Sequence, residues 1–79
     1  MNDTKNLNDK ILHFLLFCIY AVAENQNKTS AHIFKVFEKY GVLSYIIDCY
    51  DPLYTQGMLY IIDDLEGFVF DRGGDFNDE

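Results

Sequence analysis

The sequence predicts an all-α protein, a compact single-domain bundle of four helices with an acidic, mobile C-terminal tail. Apolar residues recur at the i, i+3, i+4, i+7 spacing of buried helix faces in three segments. Capping residues flank the first of these segments, and hydrophobic residues form 49% of the 79-residue chain, enough for one core. We assign residues 1–7 to a flexible N-terminus, residues 8–71 to the helical domain and residues 72–79 to the tail.

The first predicted helix precedes these segments and runs from its N-cap at Asn8 to Glu24. Its apolar residues cover nearly the whole circumference, which is typical of a helix that lies at the centre of its domain or touches a second chain. The sequence fits both interpretations. In the second, Phe17 and Tyr20 are the candidate residues for self-association, and the expected product is a homodimer.

The apolar run within this helix, Ile11 to Ala23, also resembles a secretory signal because it ends in Ala-Val-Ala. Asp3 and Asp9 precede the run and His13 interrupts it, whereas a signal peptide begins with a positively charged segment. At 13 residues the run is also shorter than the roughly 20 apolar residues that span a bilayer. We therefore expect a core helix in a cytoplasmic protein that does not contact membranes.

The second and third predicted helices meet at Gly41. The second runs from its N-cap at Thr29 through Tyr40, and the glycine then supplies the left-handed residue that ends it. Its predicted buried stripe is Ile33, Val36, Phe37 and Tyr40. The third helix should end at Asp51-Pro52, because proline disfavours helical angles in the residue before it. We expect it to bury Leu43, Ile46, Ile47 and Tyr50 and to expose Ser44, Tyr45, Asp48 and Cys49.

The fourth predicted helix begins at Met58, after a turn-like stretch at residues 53–57. Its apolar spacing fits a helical period better than the alternation of a strand, although Tyr60-Ile61-Ile62 alone is compatible with a short strand. The predicted buried residues are Met58, Ile61, Ile62, Leu65, Phe68 and Val69, and the predicted exposed residues are Tyr60, Asp63, Asp64, Glu66 and Asp71. The tail from Arg72 onward is too polar to pack against the domain, so we expect it to be mobile.

No pattern of residues predicts catalysis, a metal site or a cofactor. Cys18 and Cys49 lie in apolar runs and are expected to be reduced residues of the core. Together with His13 and His32 they lack the close spacing of zinc ligands, and the acidic residues match no calcium-binding loop. The sequence also shows no nucleophile with a base and no glycine-rich phosphate loop. We therefore expect a protein that is not an enzyme.

Charge is the most informative property of the chain. Nine carboxylates lie between Asp48 and Glu79 against one cation, Arg72, whereas the first 47 residues are nearly neutral. The second and third helices resemble a helix-turn-helix, but the third carries an acidic residue and no Lys or Arg, and DNA binding depends on neutralising phosphates. The sequence therefore disfavours direct contact with nucleic acid and favours a basic protein surface as the partner.

Tyrosines accompany these carboxylates on the predicted exposed helix faces. Tyr60 precedes Asp63 and Asp64 by three and four residues, a spacing that places all three on one side of a helix. Tyrosine is a frequent interface anchor, and carboxylates speed the encounter with a basic partner. The predicted partner-binding residues are Tyr45, Asp48, Tyr54, Tyr60, Asp63 and Asp64.

A family resemblance narrows this interpretation. The segment Phe34–Asp51, followed by Leu53–Gly57 and Tyr60–Leu65, resembles a family of small bacterial proteins known as domain of unknown function 3791. With Leu15–Ile19 in the opening helix, the resemblance covers about residues 11–69. The chain departs from the family pattern at Tyr54, where a His is usual, and at His32, where an acidic residue is usual. Members are often encoded beside a family that resembles ADP-ribosyltransferase toxins, which implies an antitoxin-like role.

Three hypotheses follow from charge and resemblance together. The first is an antitoxin-like protein that covers the basic cleft of a partner enzyme, such as a toxin or a nuclease. The second is a phage-type inhibitor that mimics nucleic acid and occupies a nuclease or a CRISPR effector. The third, which the acidic third helix disfavours, is a helix-turn-helix regulator of transcription.

Overall fold

The part of the chain that the structure describes contains five helices. The computed structural model describes residues 3–77, with their side chains from residue 8 onward, and these residues contain no strand. The helices are α1 (Asp3–Gln26), α2 (Ser30–Tyr40), α3 (Val42–Asp48), α4 (Tyr50–Tyr54) and α5 (Met58–Asp71). The predicted all-α fold is therefore confirmed, and the segment at residues 60–62 is helical rather than extended.

The central helix is α1, which packs against α2, α3 and α5. One side of it is buried in the core, with Cys18 and Val22 fully inaccessible to solvent. The apolar run of α1 is therefore confirmed as a core helix. Among the described residues, none of the helices combines the length and the apolar character needed to cross a bilayer.

The N-terminal boundary of α1 differs from the prediction. The helix begins at Asp3 rather than at Asn8, because residues 3–7 contain no glycine or proline to interrupt it and Asp is favourable near a helix N-terminus. Of the predicted flexible N-terminus, residues 3–7 are thus helical, and residues 1–2 lie outside the described part of the chain. At the other end, Asn27 adopts a left-handed φ of 57°, and Lys28 N donates to the carbonyl of Ala23 at 2.9 Å.

The predicted boundaries of α2 are confirmed. The Thr29 hydroxyl accepts a hydrogen bond from His32 N at 3.1 Å, and Gly41 ends the helix with a φ of 76°. Ile33 and Phe37 are fully buried, whereas Tyr40 is half-buried at the edge of the core.

The predicted third helix is divided into two. The backbone leaves helical geometry at Cys49, and the chain resumes as α4, which includes Pro52. The prediction that the proline stops a helix is wrong, because a proline in the first turn loses no hydrogen bond: the backbone N–H groups there have no partner within the helix. The break also changes which side chains are buried. Val42 is fully buried, whereas Ile47, predicted to be buried, is 47% exposed.

The predicted limits of α5 are confirmed, and so is most of its buried side. Ile61, Ile62, Leu65 and Val69 are buried. Met58 is instead 53% exposed, because it lies in the first turn, where α5 has just begun to approach the core. At the other end of the helix, Phe68 is half-buried.

The described part of the predicted tail, residues 72–77, packs against the domain through Phe76, contrary to the prediction, and residues 78–79 lie outside the described part of the chain. Gly73 takes a left-handed φ of 80° and turns the chain back after α5. Phe76 is then only 2% exposed, and its ring meets Phe70 edge-on at 5.7 Å between centroids. His32 Nε2 lies 2.7 Å from the carbonyl oxygen of Phe76 and carries the proton of this hydrogen bond, because a carbonyl only accepts. One aromatic side chain therefore binds an otherwise polar segment to the core.

This packing predicts the effect of one substitution. Phe76→Ala should lower the free energy of unfolding by about 3 kcal/mol, because a buried aromatic side chain is lost from a small core. Phe34→Ala is the matched control: Phe34 is 44% exposed, and we expect a loss below about 1 kcal/mol. Urea denaturation followed by circular dichroism measures both. Equal midpoints for the two variants would contradict the packing of the C-terminal segment.

Candidate protein-binding face

The candidate site lies where α3 meets α5. The phenol of Tyr45, on α3, donates a hydrogen bond of 2.6 Å to Oδ2 of Asp64 on α5. Both side chains are half-buried, so the bond is partly sheltered from water. Two of the residues predicted to bind a partner therefore contact one another, and they join the two helices that carry the site.

An aromatic stack continues from this hydrogen bond. The ring of Tyr45 stacks on Phe68 with 4.4 Å between the centroids and 27° between the planes. The guanidinium of Arg72 lies 3.4 Å from the centroid of the same Phe68 ring, in cation–π geometry, and its Nη1 donates to the Phe68 carbonyl at 3.3 Å. These contacts hold Tyr45 in one position.

Carboxylates surround this stack. A shallow depression of about 370 Å³ is lined by Asp63, Asp64 and Asp71 together with the two stacked rings and Gly67. Asp63 and Asp71 are exposed, each four residues from Gly67 along α5. A Cβ atom at Gly67 would meet nothing within 4 Å, so the glycine leaves the floor of the depression open. We call these six lining residues the acidic face: Tyr45, Asp63, Asp64, Gly67, Phe68 and Asp71.

Two more predicted residues lie close to this face. Tyr60 is 59% exposed and lies one turn before Asp64 on α5. Asp48 is exposed about one turn after Tyr45 on α3. Both side chains are available to solvent, and both add negative or hydrogen-bonding groups beside the acidic face.

The structure places Tyr54, another predicted partner-binding residue, away from these residues. Because the chain forms α4 at this point, Tyr54 stacks on Tyr50 at 5.3 Å and meets Phe14 edge-on at 5.7 Å. It lines a separate groove of about 610 Å³ between α1, α4 and the start of α5. Phe17, predicted to contribute to self-association, lines the same groove.

Sequence reasoning missed three residues of the acidic face, Gly67, Phe68 and Asp71, and it missed Arg72, which packs on Phe68 beside that face. Phe68 was assigned to the core, Arg72 to the tail and Asp71 to a solvated surface. The signal for the first two was the four-residue spacing of Phe68 and Arg72, which places a cation beside a ring on one side of a helix. Asp71 could have been added from its helical alignment with Asp63.

The described residues contain no group of three or more His, Cys, Asp or Glu side chains placed to hold a metal ion. Cys18 and Cys49 are both free thiols. Burial raises the pKa of Cys18 to about 12, so its thiol stays protonated and unreactive at neutral pH.

The Tyr45–Asp64 hydrogen bond, together with partial burial, raises the pKa of Tyr45 to about 12. The raised value means that the bond contributes stability fully below about pH 10, the ordinary pKa of tyrosine, and that this contribution is lost as the pH approaches 12. Tyr45→Phe removes the hydroxyl, so the variant should be less stable than the wild type at pH 8, and the difference should shrink above pH 10. Urea midpoints across that pH range test this. A difference that is constant with pH would contradict the hydrogen bond.

A known protein family matches most of the chain. No curated protein and no solved structure matches the chain significantly. Residues 13–72 match the family described as "Protein of unknown function (DUF3791)". The match runs from near the middle of α1 to one residue past the end of α5 and includes the whole acidic face. The chain therefore belongs to the DUF3791 family.

Proposed function

We propose that this chain is a non-enzymatic protein-binding module, an antitoxin-like neutraliser whose acidic face binds a basic surface of a partner enzyme. The observation that carries the proposal is the fixed arrangement of Tyr45 among three carboxylates. Members of the DUF3791 family are often encoded beside a family that resembles ADP-ribosyltransferase toxins, and this association supplies the class of partner enzyme.

Electrostatics supports a basic partner. The chain has a net charge of −7, and the acidic face gathers Asp63, Asp64 and Asp71 beside a single cation, Arg72. Like charges held close together destabilise the free protein slightly, and a Lys or Arg of the partner would relieve that repulsion. Such a face also speeds encounter, and its effect weakens as salt screens the charges.

The arrangement is also ordered before binding. Tyr45 is fixed by its hydrogen bond to Asp64 and by its stack on Phe68, so it loses little freedom when a partner arrives. Asp63 and Asp71 remain exposed and available to accept hydrogen bonds from basic side chains. Tyr60, also exposed, supplies a ring that can pack against the stem of a lysine.

A charge-reversal pair tests the binding face. Asp63→Lys with Asp71→Lys reverses two exposed charges and leaves the Tyr45–Asp64 bond in place, so folding should be preserved. We expect affinity for the partner to fall at least about tenfold, because two close attractive pairs become repulsive. The matched control is Glu38→Lys with Asp51→Lys, two exposed positions outside the acidic face, for which we expect a change below about threefold. Calorimetric titration of the partner, at low and high salt, measures both. Equal affinities for the two pairs would contradict this face.

The partner class has its own test. A cognate enzyme of that ADP-ribosyltransferase-like family should arrest growth when expressed alone, and coexpression of the wild-type chain should restore growth. The Asp63→Lys, Asp71→Lys variant should fail to restore it, while the control pair should succeed. If the wild-type chain does not relieve the growth arrest, the antitoxin-like role is contradicted. The titration then decides separately whether the acidic face binds a partner.

A further inference from the structure

The solvent side of α1 is unusually apolar. Four large hydrophobic residues there are 39% to 61% exposed, Leu12, Leu16, Phe17 and Tyr20. Leu12, Leu16 and Tyr20 follow one another at intervals of four residues, so they form a continuous stripe on one side of the helix. Contiguous exposed apolar surface of this kind marks an interaction site in a protein that is otherwise charged.

The groove beside this stripe has the opposite charge from the rest of the molecule. Phe14, Phe17 and the rings of α4 form an apolar lining, and Lys10 and His13 on α1 add basic groups. Within the described part of the chain, no Asp or Glu lines this groove, although the net charge is −7. Its occupant should therefore combine an aromatic group with a carboxylate.

We propose that this occupant is α1 of a second copy of the chain, packed antiparallel about a two-fold axis at Phe17. Lys10 and Glu24 are each seven residues from Phe17, about 10 Å along the helix in opposite directions. In this arrangement Lys10 of each copy faces Glu24 of the other, and both are exposed. The same pair of contacts occurs twice, as two-fold symmetry requires.

Tyr20 supplies the aromatic group in the same register. Tyr20 follows Phe17 by three residues, and His13 precedes Phe17 by four. In the antiparallel pair, Tyr20 of the second copy and His13 of the first therefore differ by only about 1.5 Å in their position along the helix axis. Its ring, 61% exposed in the single chain, packs at the groove beside His13 and Phe17. Leu16 of each copy lies next to the axis and is covered as well.

Charge selects the antiparallel arrangement over the parallel one. In a parallel pair the two Lys10 side chains would face one another, and so would the two Glu24 side chains. Each encounter of like charges is unfavourable, whereas the antiparallel pair converts both into attractions. The acidic face, on α3 and α5, shares no residue with this interface.

A charge swap tests the interface in the full-length chain. Sedimentation equilibrium should give a mass of twice 9.2 kDa for the wild type. Lys10→Glu should raise the dissociation constant of the dimer by about tenfold or more, and Glu24→Lys should do the same. The double variant, Lys10→Glu with Glu24→Lys, should restore the wild-type constant, because both ion pairs are rebuilt with their signs exchanged.

The controls separate this interface from folding and from the acidic face. Lys35→Glu makes the same charge change at an exposed position on α2, and Asp63→Lys with Asp71→Lys changes only the acidic face; neither should alter the dissociation constant. Circular dichroism confirms that each variant is folded. A monomer at every concentration, or a double variant that associates no better than the single ones, would overturn the proposal.

Discussion

Burial of one side of α1 is the interaction on which the rest of the structure depends. This helix contacts α2, α3 and α5, and its inner residues Cys18 and Val22 are completely enclosed. A domain of this size buries only about 60% of the surface of its unfolded chain, so the helices share one small core that is built around α1. The outer side of α1 is left without a neighbour from the same chain, which is the origin of the exposed apolar stripe.

The acidic face depends indirectly on the packing around α1. Because α3 and α5 both lie against α1, the side chains that face each other across their junction are brought within hydrogen-bonding distance. Tyr45 links the two helices there, and its ring and hydroxyl have separate partners, Phe68 and Asp64. The packed helices therefore form a scaffold that sets the spacing of the carboxylates.

Features set by local chemistry could be predicted from the sequence. The limits of α2 follow from Thr29 and Gly41, whose capping roles need no knowledge of the rest of the chain. Features that depend on how the helices pack together could not be predicted from the sequence. The burial of Phe76 requires the turn at Gly73 and a space beside the ring of Phe70 that can receive a second ring. That space exists only once the helices have packed together.

In the candidate site, too, the choice of surface residues could be predicted from the sequence, but the contacts between them could not. Tyr45 and Asp64 could each be chosen as surface residues of a helix, but their mutual hydrogen bond depends on how α3 and α5 are packed. Tyr54 was expected to lie in a turn, after a helix that ends at Asp51-Pro52. The short helix α4 directs Tyr54 toward Phe14 instead.

The unequal exposure of the two thiols gives the molecule a natural attachment point for a reporter group. Cys18 is enclosed and protonated, so alkylating dyes will leave it untouched while the domain is folded. Cys49 is partly accessible, and its backbone N–H donates to the carbonyl of Tyr45 at 2.9 Å, which places it beside the acidic face. A maleimide fluorophore will therefore label one site, Cys49, at the border of the acidic face, without any engineered cysteine. A change in its emission can then be used to test whether another macromolecule binds there.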